Sequence, residues 1–314
     1  MFKGGFHSRN LRTFNQKIQW IKLYGITDFM RACTDKVKVR DYVKEKIGEE
    51  YLKPVLQIIG ACHSENLENQ NNNLVDFQVV QNITTTKKKE EKMLKQVQHD
   101  DPTIDFTPKL TDVSTYFDKI NFDKLPNAFV IKTNHGCKWQ YIIKDKEQFL
   151  QNKQLFETVK QNITGWLGQE YWCWGGFEMQ YKGIEPKILI EPLMCVDENK
   201  EPVKINVWCF SGEPKIYVKF FDENKMSVWN ENFEPIKDFF ISNDYVLLNA
   251  DEILKQSYVL SKSLSEAFNF VRIDWMIYKN KLYFEEMTFT PYSGFGKFKN
   301  KGDELKLGSW ITEI

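Results

Sequence analysis

The sequence lacks the short motifs that most often identify an enzyme from one chain. It contains neither GxGxxG nor GxxxxGK[ST], which argues against a dinucleotide-binding turn and a P-loop. It also contains no GxSxG, HExxH or DxD. A hydrolase nucleophile elbow, a zinc-protease helix and a metal-dependent nucleotide-sugar site of the usual kind are therefore disfavoured.

Charge imbalance and cysteine pairs are lacking as well. The chain has 43 basic and 43 acidic residues, so no overall basic field favours nucleic acid as a partner. Its six cysteines form no CxxC pair and match no histidine spacing, which argues against structural zinc and is typical of a reducing cytoplasm. No run of about 18 apolar residues occurs, which predicts a soluble cytoplasmic protein without a transmembrane segment.

What the sequence does contain divides it into four regions. We predict an N-terminal helical region over 1–62, a low-complexity insert over 63–118, and two lobes over 119–195 and 196–314. The insert carries a charged tract, TTTKKKEEK, that either contacts a membrane or phosphate or stays solvated. After it come two strands and a helix, and then antiparallel strands with one embedded helix. This order predicts an α+β fold and not a doubly wound parallel sheet.

Two acids mark the ends of a predicted hairpin, VRIDWMIYKNKLYFEEMTFTPYSG, whose turn is YKNK. Asp274 and Glu286 lie away from that turn and can approach each other. Buried carboxylates are costly without a positive partner, and Mg²⁺ takes one or two carboxylates together with substrate phosphates. The alternative is that both face solvent. Because Glu285 and Glu286 point to opposite sides of a regular strand, at least one of these two is expected to be an ordinary surface residue.

Two further charged residues end predicted strands. Lys132 closes AFVIK just before the turn TNHGCK, where a lysine and backbone N–H groups suit a phosphate oxygen. Glu191 closes PKILIE before Pro192, where a linker between lobes could pair with an adenine and an acid could hold ribose hydroxyls. The simpler interpretations are an exposed lysine at a strand end and a strand that merely stops at proline.

In order, the segments FVIKTNHG, EMQYKGIEPKILIEPL, VWCFSGEPKIYV and VRIDWMIYKNKLYFEEMTFTPYSGFGKF resemble the TupA-like ATP-grasp family of bacterial surface-polysaccharide biosynthesis. The resemblance covers about 35–60 and 119–308. It implies an ATP-grasp fold in which two α+β lobes, preceded by a helical segment, hold Mg-ATP between them.

The resemblance also implies site residues. Magnesium would be held by Asp274 and Glu286, with Thr288 where the family often has asparagine, and Arg272 would stabilise charge on the moving phosphoryl group. Asn206 stands approximately where the family often has a lysine, and Lys204, two residues before it, would be a catalytic residue together with Arg272. The residues implied for the nucleotide are Lys132 at the α-phosphate, His135, Gly136 and Lys138 in the turn over the phosphates, and Glu191 to Leu193 at the adenine.

The implied activity is ATP-dependent activation of a carboxylate as an acyl phosphate, followed by ligation to an amine such as an amino acid. The implied acceptor is a sugar acid, such as a uronic acid, on a surface glycan. No nucleic acid takes part, and peripheral association with membrane-bound glycan machinery is compatible with this activity. Two alternatives stay open: a glycosyltransferase of the same pathway and a non-catalytic nucleotide-binding protein.

Overall fold

The structure is a computed structural model, and it describes residues 11–60, 112–174, 176–195, 202–222, 225–241 and 244–312. Short helices begin it: α1 (Phe14–Trp20), α2 (Asp28–Thr34) and α3 (Val39–Ile47). Threonines start the first two, because the side chains of Thr13 and Thr27 accept hydrogen bonds from backbone N–H groups of the first turn. A π-helical turn, Ile21–Gly25, follows α1 directly.

A four-stranded antiparallel sheet forms the first lobe. Its strands are β1 (Gln57–Ile59), β2 (Phe129–Thr133), β3 (Gln140–Ile143) and β4 (Ile188–Pro192), in the order β1-β4-β2-β3. Helices α4 (Lys146–Gln151) and α5 (Lys153–Leu167) follow β3, and α6 (Tyr171–Trp174) precedes β4. Helix α5 buries Val159, Ile163 and Leu167, which recur every four residues on one face, against the same core as β2 and β4.

A larger sheet forms the second lobe. Its strands are β5 (Lys204–Phe210), β6 (Glu213–Phe220), β7 (Lys225–Trp229), β8 (Pro235–Ile236), β9 (Asp244–Tyr245), β10 (Phe270–Tyr278) and β11 (Lys281–Thr288). The order is β11-β10-β5-β6-β7-β8, with β9 parallel to β7. Helix α7 (Glu252–Ser265) covers one face, where Trp275 donates a hydrogen bond to Ser261 at 2.8 Å. On the opposite face, Phe14 of α1 packs against Trp208 and Phe270.

The N-terminal segment joins both lobes. Phe14 and Ile18 of α1 are fully buried in the core of the larger sheet, whereas β1 extends the smaller sheet by pairing with β4. The last helix, α8 (Lys301–Trp310), packs on α1 so closely that a Cβ at Gly308 would lie 2.1 Å from the Arg12 carbonyl oxygen. The two ends of the described chain therefore support the same lobe.

The predicted α+β class is confirmed, and so is the YKNK turn, where Lys279 and Asn280 have φ of 48° and 60°. Strand β1 was not predicted, because three residues carry no measurable alternation. The charged tract of the predicted insert lies outside the described residues, while Tyr116 and Phe117 at its end are buried in the smaller core. No helix in the described ranges combines the length and apolar character that a membrane span requires.

Candidate functional site

The hairpin β10–β11 brings the two predicted acids together. Asp274 lies directly opposite Glu286, and Arg272 lies opposite Thr288, so all four side chains share the sheet face that α7 does not cover. On the other side of β10, Asn206 of β5 lies opposite Asp274. Neighbouring side chains on one face of antiparallel strands are within interaction distance, so these five residues form one polar cluster.

The guanidinium of Arg272 holds this cluster together. Its Nε and one terminal nitrogen donate to the two oxygens of Asp274 at 2.7 and 2.5 Å. The same nitrogen donates to the Thr288 hydroxyl at 3.0 Å and lies 3.6 Å from Glu286 Oε1. One cation therefore faces two carboxylates. The cluster carries an excess of one negative charge.

The pKa values of the two acids shift in opposite directions. Burial raises the pKa of Asp274 to about 7, even though Arg272 works to lower it. Burial also works to raise the pKa of Glu286, but the charges of Lys36, Arg272 and Lys132 outweigh it and leave this pKa below its usual value. Arg272 thus does not offset the burial of Asp274, and a further cation would stabilise the ionised form of this carboxylate.

Glu285 is not the ordinary surface residue that strand alternation predicts. The register shifts between Asp274 and Trp275, so Glu285 is the extra residue of a β-bulge and opposes no residue of β10. Its carboxylate accepts a hydrogen bond from the Lys53 ammonium at 2.6 Å, and its side chain is only 23% exposed. The bulge lets two consecutive glutamates each meet a cation.

A second buried cluster begins at that lysine. Lys53 lies 3.0 Å from Glu191, and Lys132 donates to the same carboxylate oxygen at 2.7 Å. Strands β2 and β4 pair antiparallel, with Val130 opposite Glu191. Lys132 is two residues from Val130 along β2, so its side chain lies on the same face of the sheet as Glu191. The side chains of Lys132 and Glu191 are 8% and 5% exposed, which rules out the exposed lysine that the sequence left open.

The residues of this second cluster stabilise one another's charged forms to different extents. Burial works to raise the pKa of Glu191, but two lysines overcome it and lower the pKa to about 2. Burial and the charge of Lys53 lower the pKa of Lys132 to about 8, although Glu191 opposes the change. Lys53 keeps a raised pKa against burial because it alone contacts both Glu285 and Glu191. Lys132 is therefore the under-neutralised cation, and an anion beside it would restore its charge.

The turn after β2 is fixed by buried polar contacts. His135 is 3% exposed, its ring nitrogens lie 3.3 Å from Asn134 Oδ1 and 3.2 Å from the Trp166 carbonyl oxygen, and burial lowers its pKa to about 4. A Cβ at Gly136 would lie 2.3 Å from the Trp139 ring, so a larger residue there would have to displace this ring. The Gly136 carbonyl accepts from Lys36 at 2.6 Å, and Lys138 has φ of 61°.

The other predicted residues lie at the margins of these clusters. Leu193 donates its backbone N–H to the Ala128 carbonyl at 3.2 Å, so that N–H is already engaged at the predicted adenine position. Lys204 is exposed and lies opposite Met276, two residues along the same face from Asn206. The structure thus places Lys204 beside the polar cluster but not in contact with it.

Sequence reasoning missed two lysines. Lys53 stands between two apolar stretches just before β1, and Lys36 lies between α2 and α3. Neither position carries a motif. The available signal was Lys53 itself, a lysine at the border of an apolar segment, whose partners Glu191 and Glu285 are far away in the chain.

Oxygen ligands of the type that Mg²⁺ prefers are present in the polar cluster. Asp274, Glu286 and the Thr288 hydroxyl supply hard oxygens on one face, and their charge is only partly neutralised by Arg272. Within the described ranges, no group of three or more His, Cys, Asp or Glu residues forms a metal site by itself. Two carboxylates fit magnesium that shares its coordination with phosphate oxygens better than they fit a metal enclosed by protein alone.

One protein family and several solved structures are similar to this chain. Residues 65–312 match the model of the family described as TupA-like ATPgrasp. No curated protein sequence matches the chain. Among solved structures, D-alanine–D-alanine ligase from Bacillus anthracis shares 14% identity over 89% of this chain and 65% of its own, with a TM-score of 0.40. The corresponding ligase from Helicobacter pylori shares 13% over 63% of this chain and 53% of its own, with a TM-score of 0.35.

D-cycloserine synthetase DcsG is a third such match, with 11% identity over 64% of this chain and 60% of its own and a TM-score of 0.32. The chain therefore spans between about half and two thirds of the length of these three solved structures.

Proposed function

Since the chain belongs to the TupA-like ATPgrasp family, we propose that it binds Mg-ATP between its two sheets and uses it to join a carboxylate to an amine. The observation that carries this proposal is a pair of adjacent buried clusters with opposite needs. Lys132 lacks negative charge, since its pKa is lowered, whereas Asp274 lacks positive charge, since its pKa is raised. A nucleotide phosphate with its metal ion carries both signs and satisfies both clusters at once.

Each cluster then has a role. Asp274 and Glu286 would hold Mg²⁺, with the Thr288 hydroxyl and the Asn206 amide beside them. Lys132 and Lys53 would bind phosphate oxygens, and the turn Asn134–Lys138 would lie over them. ATP supplies the phosphoryl group that activates a carboxylate as an acyl phosphate, and Mg²⁺ neutralises the phosphate oxygens.

Arg272 has a different role from the lysines. Its guanidinium is fixed at two points by Asp274 and does not need to reorganise when negative charge develops nearby. A preorganised cation of this kind stabilises charge on the transferring phosphoryl group or on the acceptor carboxylate. The positions of these side chains, not covalent participation of the protein, would supply most of the rate enhancement.

The finer function that we propose follows the family. The carboxylate would belong to a sugar acid of a bacterial surface polysaccharide, and the amine would be a small molecule. This assignment rests on the family alone, because the charged clusters recognise phosphate and metal and do not discriminate among acceptors.

The test is an assay of the purified chain with ATP, Mg²⁺, uronic acids and amino acids, in which both ADP and UDP are measured. ADP that depends on both an acid and an amine supports the ligase. UDP released from an added nucleotide sugar supports a glycosyltransferase, and ATP binding without ADP formation supports a non-catalytic protein.

The matched variants are Glu286→Gln and Glu213→Gln. Glu286→Gln should reduce ADP formation by at least about 10²-fold, because it removes one of two carboxylates at the proposed ion. Glu213 is a half-exposed acid on the same sheet that pairs with Lys262, and its variant should keep turnover. Equal activity in both variants would move the metal site elsewhere.

A further inference from the structure

The turn Asn134–Lys138, which would lie over the nucleotide phosphates, is held by a segment that belongs to neither sheet. This segment, 35–38, joins α2 to α3. It precedes the part of the chain that matches the family, 65–312, so the family match does not cover it. Its backbone meets the turn directly, because the Lys36 N–H donates to the Asn134 carbonyl at 3.3 Å.

Asn134 is the buried centre of this contact. The residue is 0% exposed, and its side-chain nitrogen donates to Asp35 Oδ1 at 2.9 Å and to the Glu185 carbonyl at 3.0 Å. Its side-chain oxygen accepts from the Lys187 backbone N–H at 2.7 Å, and its own N–H donates to the Lys187 carbonyl at 3.1 Å. A buried polar network in which each group has a partner favours one arrangement of its members. The first residue of the turn is therefore fixed to the segment 35–38 on one side and to the chain before β4 on the other.

Asp35 is the partner of Asn134 on the N-terminal side. It is 2% exposed, and its Oδ1 also accepts from the Val37 backbone N–H at 2.9 Å, which fixes the side chain on its own segment. Burial raises the pKa of Asp35, although the hydrogen bonds from Asn134 and Val37 work to lower it. Because a buried carboxylate is costly without hydrogen-bond donors, the Asn134 amide stabilises Asp35 as much as Asp35 orients the amide.

Lys36 holds the middle of the same turn. Its side chain is half-buried, and its ammonium donates to the Gly136 carbonyl at 2.6 Å. The segment 35–38 therefore contacts the turn at two points, at Asn134 and at Gly136. A shift of the turn away from this segment would break both contacts.

We propose that Asp35, Lys36 and Asn134 are positioning residues that hold the Asn134–Lys138 turn where its backbone can bind the phosphates of ATP. This inference rests on the proposed function, in which that turn lies over the phosphates. A binding group that is already ordered in its bound position gives higher affinity, because no ordering cost is added on binding. The N-terminal helices would thus contribute to nucleotide affinity without touching the nucleotide.

Nucleotide affinity and local hydrogen exchange test this proposal together. The full chain is titrated in a calorimeter with Mg²⁺ and a non-hydrolysable ATP analogue, and amide hydrogen exchange is followed by mass spectrometry without nucleotide. Asn134→Asp replaces the donor to Asp35 with a second carboxylate. We expect the affinity for the analogue to fall at least about tenfold and exchange in peptides that cover the turn to accelerate, whereas exchange in β10 and β11 stays unchanged.

Adding Asp35→Asn to that variant restores the hydrogen bond with donor and acceptor exchanged. The double variant Asn134→Asp/Asp35→Asn should recover at least about half of the lost binding free energy and slow the exchange of the turn again. A loss of affinity that is unrelated to this contact would persist in the double variant.

Lys36→Met removes the second contact without placing a new charge in the interior. It should weaken binding of the analogue about three- to tenfold, the scale of one hydrogen bond from a charged group. Lys38→Met is the matched control, since it removes an exposed positive charge from the same segment, and its affinity should stay within about twofold. Melting temperatures identify a variant that fails to fold. If Asn134→Asp is that variant, Lys36→Met and its control decide.

Three outcomes overturn the inference: unchanged affinity in both Asn134→Asp and Lys36→Met, faster exchange of the turn with unchanged affinity, or equal losses in Lys36→Met and Lys38→Met. Failure of the wild-type chain to bind the analogue contradicts the proposed function. Normal binding by the wild type together with any of the three outcomes contradicts this inference alone.

Discussion

The two buried charged clusters differ in the balance of their charges and in how far apart their members lie in the sequence. The cluster between the two sheets, which we call the lysine cluster, contains Lys53, Lys132, Glu191 and Glu285 and so has two charges of each sign. The cluster on the larger sheet, the arginine cluster, sets Arg272 against Asp274 and Glu286. In the first, a lysine is left short of negative charge. In the second, Asp274 is left short of positive charge. The imbalance, more than the burial, indicates what each would bind.

The clusters also differ in how far apart their members lie in the chain. Arg272 and its partners belong to one hairpin, so its pairing alone brings them together. The lysine cluster joins a residue before β1, residues of β2 and β4, and a bulge residue of β11. Lys53, Lys132 and Glu191 meet at the smaller sheet, and the Lys53–Glu285 contact joins them to the larger sheet.

The largest expected effect is on the arginine cluster. Arg272→Met should lower the free energy of unfolding at pH 9, where Asp274 is ionised in the wild type, by about 3–5 kcal/mol, because it leaves this carboxylate buried without its cation. The loss should shrink at pH 5, since burial raises the pKa of Asp274 to about 7 and a protonated carboxyl needs no partner. Urea unfolding at both pH values measures this, and a loss below about 1 kcal/mol at pH 9 would show that the pairing is structurally unimportant.

The lysine cluster should give a loss of stability in acid. Its carboxylate, Glu191, has a folded-state pKa of about 2, below its usual 4.5. A depressed acid pKa contributes stability that is present above about pH 4.5 and lost as the pH falls towards 2, about 3 kcal/mol in total. Urea unfolding of the wild type and Glu191→Gln at pH 5 and pH 3 checks this. The gap between the two proteins should narrow in acid, and a constant gap would contradict the assignment.

A smaller effect is expected at the link between the lobes. Lys53→Met should lower the free energy of unfolding by about 2 kcal/mol, because Glu191 keeps Lys132 and only the partly hydrated Glu285 loses its cation. Adding Glu285→Gln should recover part of that loss, since the unpaired charge is then gone. If the loss in the double variant equals the sum of the losses in Lys53→Met and Glu285→Gln, the two residues are not coupled as the 2.6 Å contact indicates.

The smallest effect is expected at an exposed ion pair, which serves as the reference for the buried pairs. Lys299 pairs with Asp238 at 2.6 Å on the second lobe, but both side chains are half exposed. Lys299→Met should change the free energy of unfolding by no more than about 0.5 kcal/mol, because water screens the pair. A larger change in the same urea experiment would mean that burial does not separate this pair from the two clusters.

Sequence reasoning located the arginine cluster more completely than the lysine cluster. Alternation along VRIDWMIY and a turn at YKNK are local signals, and they sufficed to bring Asp274 opposite Glu286. The same alternation misassigned Glu285, because a bulge is an irregularity of pairing that period-two reasoning cannot represent. Lys132 and Glu191 were found as ends of apolar strands, but their contact depended on the pairing of β2 with β4. Lys53 was not found.

The sequence by itself determined the α+β class, most strands, the hairpin that holds the acids and the resemblance that names ATP and magnesium. These follow from periodicity, turn residues and motif spacing, which are local properties of the chain. Only the tertiary structure decided that Lys132 is buried and under-neutralised, that Glu285 meets Lys53, and that Asp35 contacts Asn134. Each of these depends on desolvation and on contacts between residues distant in the chain, and neither quantity is written in any short stretch of sequence.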